Sequence, residues 1–571
     1  MVDRNCEPSA LGMRAGGDLI SEEENVNASE RASYAPSWYT ATMVPTAMRG
    51  PLTFDLDVDV CVIGGGLAGL TTAREIARRG WSVVVLEADR IAANASGRND
   101  GFVLPGFAES MERVVSRVGM EHAKALWDLS EMGLRYVGTT IAEARMPGVA
   151  PIAGWLKVSK VDNGDEVLAD VQLYGELGAE VEGWPTERVR EVLKTNHYFH
   201  ALHLPRAFHI HPLNYALGLA SVAEAAGARI FEATPALAID AEGARKRITT
   251  PSARVRAGHI VVAGNVHLAA LMPRVVGTLM PIWSYVVTTA PLGPRLAEAV
   301  TYRGAVTDTD LANSHYRIVG NDRLIWSGHS TTWAANPARI VPRLQRDIAA
   351  IYPQLGEVEI EHAWSGALGT PLHRMPQIGE LLPGVWLASG FGGHGLNTTA
   401  MAGNIIAQAI VEGEDTWRLF APFELVWAGG TLGRAAMQAY YWWFDARERF
   451  AARQARQRQE EYRRGSELAA LRAGEEQAHV EARLGAVVPR GVLPEEPALA
   501  ELPADPVAAE IASPRMDHSN ASVETSQESD ESVRAARSEA VGGAHSDDWV
   551  REEIDRGQGN PNDKARPRRG S

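Results

Sequence analysis

A single segment, Val58 to Leu70, constrains this chain more than any other. An apolar run, Val58 to Ile63, breaks into Gly64, Gly66 and Gly69, and a helix-like sequence follows. Strand, tight turn and helix N-terminus in that order are what a dinucleotide pyrophosphate requires. Gly64 allows the turn, Gly66 lets the backbone approach the phosphates, and Gly69 lets the helix pack on the strand. The helix, read over 67–79, presents unpaired N–H groups and the positive end of its dipole to the anion. A second strand from Trp81 ends in Glu87, about 20 residues on, where an acid holds a ribose hydroxyl.

Glu87 favours a free ribose hydroxyl, as in FAD or NAD, over the phosphorylated ribose of NADP. The next segment separates the first two. A nicotinamide dehydrogenase would continue with another strand–helix repeat, but Ala93 to Phe102 is a polar loop carrying Ser96, Arg98 and Asn99. Such a loop can return across a pyrophosphate and a flavin ring.

Further motifs follow in order. Ser33 to Thr40 reads Ser-Tyr-Ala-Pro-Ser-Trp-Tyr-Thr, and Ala95 to Gly101 reads Ala-Ser-Gly-Arg-Asn-Asp-Gly. His211-Pro212 leads into Leu217 to Ala236, and Gly390 to Leu396 reads Gly-Phe-Gly-Gly-His-Gly-Leu. Over residues 33 to 445 the chain resembles the D-amino-acid-oxidase-like, or glycine-oxidase-like, FAD-dependent oxidoreductases, and most closely their gamma-glutamylputrescine oxidoreductase branch. Asp100 departs from that branch, where glycine is usual. A carboxylate near the pyrophosphate or the flavin N5 would repel an anionic reduced ring.

The resemblance implies an α/β (α+β) fold: a Rossmann-like FAD-binding domain interleaved with a mixed antiparallel-sheet substrate domain, then C-terminal helices and a disordered tail. The expected segments are FAD-binding at 33–149, 205–280 and 366–445, and substrate domain at 150–204 and 281–365. It implies non-covalent FAD on Gly64, Gly66, Leu67, Ala68, Gly69, Glu87, Ala88, Ser96, Gly97, Arg98, Asn99, Pro235, Ala236, Gly264, Gly390, Phe391, Gly393, His394, Gly395 and Leu396. Thr234 to Ala236 is expected to clamp the adenine. Candidate catalytic residues are Arg98, Tyr285, Tyr316 and His394.

The cofactor sets the chemistry. Oxidising an amine C–N bond moves a hydride equivalent from carbon to flavin N5, and the imine then hydrolyses. The nitrogen lone pair assists, so the amine must react neutral, a state an apolar pocket favours. Trp283, Tyr285, Tyr316, Trp326 and Trp364 are candidates for an aromatic cage selecting cationic amines. Oxygen or another acceptor would reoxidise the flavin, with Lys157 a candidate oxygen-activating residue. Two alternatives stand beside this reading. One is a flavoprotein for 2-hydroxy acids or amino acids, which needs a carboxylate clamp from Arg98, Arg317 or Arg374. The other is a non-catalytic flavin-bound scaffold working through its C-terminal helix and tail.

Composition bounds the rest. A net charge of −15 argues against nucleic acid as a partner. Cys6 and Cys61 supply no disulfide framework, and His197, His200 and His203 carry no acid or cysteine at metal-ligand spacing, so no metal is expected. Leu381 to Val411 contains no charged residue, yet its central glycines argue against a membrane span. No secretory signal is read at the N-terminus, and the cytoplasm is the expected location. Residues 1–32 and 486–571 read as disordered by composition. Between them, Tyr440 to Phe444 precedes an arginine-rich helix read over 446–485, with seven arginines from Arg447 to Arg464. Three roles compete for it: packing on the flavin domain, lying on a membrane surface, or contacting a partner helix.

Overall fold

The structure is a computed structural model describing residues 34–309, 314–443 and 446–447. The readings for 1–32 and 486–571, and almost all of 446–485, lie outside the described residues.

The run Val58 to Ile63 forms the strand Leu56–Ile63, with Cys61 and its neighbours buried on both faces. Such two-sided burial belongs to a central parallel strand covered by helices. Its neighbours are Val83–Leu86 and Arg254–Val262, both parallel to it. Outward from these lie Arg229–Phe231 on one side and Val385–Ser389 then Gln377–Leu382 on the other, the last antiparallel. A small antiparallel pair, Ala238–Asp240 and Lys246–Thr249, completes eight strands. Helices Leu67–Arg78, Met120–Ala144, Pro212–Ala225 and Gly395–Glu412 bury their apolar sides on one face with Val60, Val62 and Val85. Cys61, Ile63, Val84 and Val262 face the other way, under Ile239 and Ile248. Strand order reverses at Leu56–Ile63, and ligands bind beyond the carboxyl ends of strands at such a switch point.

The second sheet has nine strands. Ile360–Pro371, Leu279–Thr289, Arg323–Thr331, His315–Val319, Ala305–Asp308, Ile152–Val158, Ala201–His209 and Phe102–Val103 follow in that order, and Glu182–Trp184 pairs with Ala201–His209. Every pairing is antiparallel except Ala305–Asp308 with Ile152–Val158. Phe102–Val103, read from the sequence as part of the first flavin-binding segment, is therefore an edge strand of this sheet. One face packs on the helix Val341–Ile351 through Tyr285, Val287, Tyr316, Ile318, Leu324 and Trp326. Val286, Val319, Ile325 and Trp364 point oppositely and join the core of the first domain. Leu381 to Val411 is strand, loop and helix, and no helix among the described residues is long and apolar enough to cross a membrane.

Candidate flavin crevice

The glycine turn is built by close contact. Gly64 has φ +112°, and a Cβ there would lie 2.8 Å from the Ala263 carbonyl oxygen, so this strand end abuts the next at Gly264. A Cβ on Gly69 would stand 2.0 Å from the Gly64 oxygen, which sets how closely the helix Leu67–Arg78 approaches its strand. Gly66 caps that helix without a side-chain bond, and its first turn holds no acid. Ser96 Oγ accepts the Leu67 N–H at 3.1 Å, bringing the polar loop onto the helix N-terminus. Leu67 and Ala68 are buried in the core, so their side chains do not reach a ligand, and the Leu67 N–H is already taken by Ser96.

Glu87 closes the other end. Its Oε2 accepts the Gly65 N–H at 2.6 Å and its Oε1 the Asp89 N–H at 2.9 Å. Burial pushes its carboxyl up to about 7, although the two backbone N–H groups act against that. Ribose hydroxyls are the donors such a carboxylate lacks. The Thr234 N–H reaches the Glu87 carbonyl at 2.7 Å, placing Pro235 and Ala236 beside the same site.

The polar loop is held by its own side chain. Asn99 Nδ2 donates to the Ala95 and Ser96 carbonyls, each at 2.9 Å, and its Oδ1 accepts the Gly101 N–H at 2.9 Å. Asn99 is thus a staple, with its amide filled before any ligand arrives. Trp364 Nε1 donates to the Arg98 carbonyl at 2.9 Å, and Gly366 leaves room for the Arg98 Cβ.

Across the crevice stands the helix Gly395–Glu412. His394 caps it without a side-chain bond, and its first turn contains no acid. Open space surrounds a Cβ built on Gly393 or Gly395, whereas Gly390 and Gly392, at φ +70° and +58°, turn against Pro371 and Ala108. Phe391 and Leu396 are core side chains. Two helix N-termini without acidic caps, a carboxylate with acceptor capacity left beyond its two backbone N–H bonds and an open glycine edge fit a dinucleotide with a ring that becomes anionic. Asn265, absent from the sequence reading, joins them. It has φ +52°, bonds Ser389 Oγ at 3.3 Å, and lies where a Gly369 Cβ would approach its Oδ1 to 2.0 Å.

Several expected residues lie elsewhere. Tyr285 and Tyr316 are not at the crevice. Tyr316 stacks on Trp326 at 4.3 Å and bonds Tyr352 Oη at 2.7 Å, while Tyr285 Oη pairs with Thr331 Oγ1 at 2.8 Å and accepts the Ala335 N–H at 2.9 Å. Strand alternation turns Tyr285, Tyr316 and Trp326 onto the sheet face away from the flavin domain. Trp283 packs there too, beneath Arg434. Of the five cage candidates only Trp364 faces the flavin loop. Lys157 is tied to Asp170 at 2.8 Å. His200 and His203 do have acids, Asp162 at 3.1 Å and Glu182 at 3.2 Å, but no group of three or more ligands able to hold a metal occurs among the described residues.

Arg317 is not a substrate clamp. Buried, it donates from Nε to the Asp100 carbonyl at 2.8 Å, and from Nη2 to Ile210 O at 2.9 Å and Tyr39 Oη at 3.1 Å. Its Nη1 meets His209 Nδ1 at 3.2 Å. The Asp100 backbone thus belongs to an Arg317–Tyr39 network, whereas its carboxylate Oδ1 is buried without a hydrogen-bond partner.

His394 occupies the space between the two domains. Burial, then the Arg374 and His315 charges, pushes its imidazole down to about 4, against the Gly106 carbonyl. Its Nδ1 is buried without a hydrogen-bond partner. His315, on the strand beside Tyr316, bonds Thr307 Oγ1 at 3.0 Å and meets Phe102 edge-on at 6.0 Å. The sequence reading missed it, although any strand that turns Tyr316 one way must turn His315 and Arg317 the other.

These imidazoles imply acid lability. Burial and Arg317 hold His209 down to about 3 and His211 to about 4, and His211 Nδ1 must stay unprotonated to cap Asn214 N–H at 3.1 Å. With His394 this makes three groups whose folded pKa lies below the ordinary value of about 6.5. The folded state binds fewer protons in that window, so stability falls as pH drops from about 6.5 towards 4. Glu87, raised to about 7, runs oppositely, a single group against these three and the further imidazoles held low by burial, His203, His259 and His373. Thermal melts should descend steadily over that range. A flat profile would mean the imidazoles are not held neutral.

Residues 59–409 match the family model described as FAD dependent oxidoreductase (DAO). The chain belongs to this family: it is an oxidoreductase and FAD is its cofactor. It is 31% identical over 424 residues to a probable oxidoreductase OrdL of Rhizobium meliloti, covering 72% of this chain and 97% of that one. Gamma-glutamylputrescine oxidoreductase of Escherichia coli is 28% identical over 395 residues, covering 68% and 92%. Among solved structures, glycine oxidase from Geobacillus kaustophilus superimposes with a TM-score of 0.56 at 21% identity, over 65% of this chain and 99% of that one. That likeness concerns the fold.

Proposed function

We propose that the chain oxidises the C–N bond of an amine, a polyamine derivative or an amino-acid-like molecule, releasing an imine that water hydrolyses. The observation that carries this reading is His394: neutral well below pH 7, between the flavin loop and the second sheet, with Nδ1 buried and unbonded. A neutral imidazole there can accept a hydrogen bond from a substrate N–H and orient the amine, while burial of the site favours the amine's uncharged form. Arg317 is engaged in the fold, so of the clamp candidates it is not the one to hold a 2-hydroxy acid carboxylate. Trp364 fixes the Arg98 backbone and presents its ring on the same side. Bound flavin supplies the two-electron acceptor; the protein binds and orients the amine. The relatedness to gamma-glutamylputrescine oxidoreductase supports the amine class.

The test is anaerobic mixing of the holoenzyme with polyamines, monoamines, amino acids and 2-hydroxy acids, followed by flavin absorbance. An amine should bleach the flavin, and His394→Gln should slow bleaching about 10²-fold or more with FAD still bound. Bleaching by hydroxy acids alone would overturn the reading, as would a His394→Gln variant of unchanged rate.

A further inference from the structure

The helix over residues 430–443 turns one side to the substrate-domain sheet. Arg434 donates to the Thr332 carbonyl from Nε at 3.0 Å and Nη2 at 2.7 Å, and Gln438 Oε1 accepts the Thr332 N–H at 2.9 Å. At 100° per residue, Arg434, Gln438 and Tyr441 share that docked side. The opposite half of the helix presents Leu432, Ala436, Tyr440 and Trp443, with Trp442 on its flank. Leu432 is 80% exposed, Trp442 65%, Trp443 55% and Tyr440 45%, and Trp427 just before the helix is 67% exposed. Arg434, on the docked side, is the one charged residue of 430–443. A contiguous uncharged surface of that kind marks a site of association.

We propose that this face docks on an anionic lipid surface. Tryptophan and tyrosine pair an apolar ring with a polar N–H or O–H, the combination that suits the headgroup level of a bilayer. Charge complementarity selects the occupant. The chain as a whole carries −15, yet seven arginines against three glutamates follow directly between Arg447 and Arg464. Basic residues beside an amphipathic aromatic helix strengthen attachment to anionic headgroups. This inference does not depend on the substrate reading.

Full-length holoenzyme should be sedimented with phosphatidylcholine vesicles, with and without phosphatidylglycerol. It should partition onto the anionic vesicles only and be released by high salt. Leu432→Glu with Trp442→Glu should lower that partition about tenfold or more. Flavin absorbance and turnover should be retained, since neither residue lies in the crevice. No sedimentation with anionic vesicles, or equal sedimentation by the variant, overturns the proposal. A concentration-dependent dimer that the two substitutions abolish, without vesicle binding, assigns the face to a second copy instead.

Discussion

Gly69→Ala should yield a protein purified without flavin. The added methyl would sit 2.0 Å from the Gly64 carbonyl oxygen and 3.1 Å from Val62 Cγ1, and a backbone carbonyl cannot swing aside as a side chain can. The helix Leu67–Arg78 would have to lift from its strand. It is also packed on its other side, where a Cβ on Gly403 would stand 2.7 Å from the Thr71 Cβ and the Thr72 backbone nitrogen. Overpacking of this kind costs about 1–3 kcal/mol where side chains can shift. Here the shift falls on the helix N-terminus proposed to face the pyrophosphate, so binding should suffer beyond stability. Gly175→Ala is the matched control. It adds the same methyl in the helix Gly164–Glu176, where a Cβ meets nothing within 4 Å, and should stabilise by up to about 1 kcal/mol. The ratio of flavin to protein absorbance after gel filtration reads both. Full flavin content in Gly69→Ala would show that the glycine does not set the approach of helix to strand.

That glycine was legible in the sequence because three signals coincided: an apolar run, the spacing of Gly64, Gly66 and Gly69, and Glu87 at the end of the next strand. The structure closes them into one site through short contacts, Gly65 to Glu87 and Leu67 to Ser96. Local patterns of this kind survive without tertiary information because each residue's role is played on its near neighbours. The facing of the second sheet was not legible. Leu279–Thr289 and His315–Val319 are buried on both faces over much of their length, so alternation of apolar and polar residues carries no sign. An irregularity between Ser284 and Tyr285 in the pairing with Arg323–Thr331 further disturbs the count along the strand. Residue type alone places these aromatics at the crevice, and the structure turns most of them into the core beside Val341–Ile351. His315 and Asn265 escaped for a different reason. Neither belongs to a motif, and each matters only through a partner remote in sequence, His394 or Gly369.

Arg317→Met is expected to destabilise the fold, by about 1–3 kcal/mol for each buried acceptor it leaves without a donor. One guanidinium holds four groups from three parts of the chain: Asp100 O in the flavin loop, Ile210 O and His209 Nδ1 at the end of a sheet strand, and Tyr39 Oη. Tyr39 sits in the short helix Trp38–Ala41, fixed by the reciprocal cap of Ser37 and Thr40. Burial raises its phenol to about 12, so it stays protonated and receives the Nη2 hydrogen as a neutral oxygen. His209 donates from Nε2 to the Arg303 carbonyl at 2.9 Å, which leaves the Nδ1 lone pair for Arg317. A methionine fills the volume and satisfies none of these acceptors. Arg317→Lys keeps the charge but replaces a planar fork with a single point donor, so it should recover a minor part of the loss. The loop 95–101 is anchored at one end by Ser96 and at the other by Asp100, and releasing the second anchor should weaken FAD binding as well as folding. Asp100→Gly keeps the carbonyl that Arg317 uses, so it should leave FAD affinity close to wild type. Thermal melts and FAD titration of the three variants together separate the outcomes. If Arg317→Met holds flavin as tightly as Asp100→Gly and melts with the wild type, the guanidinium does not tie the substrate sheet to the flavin loop.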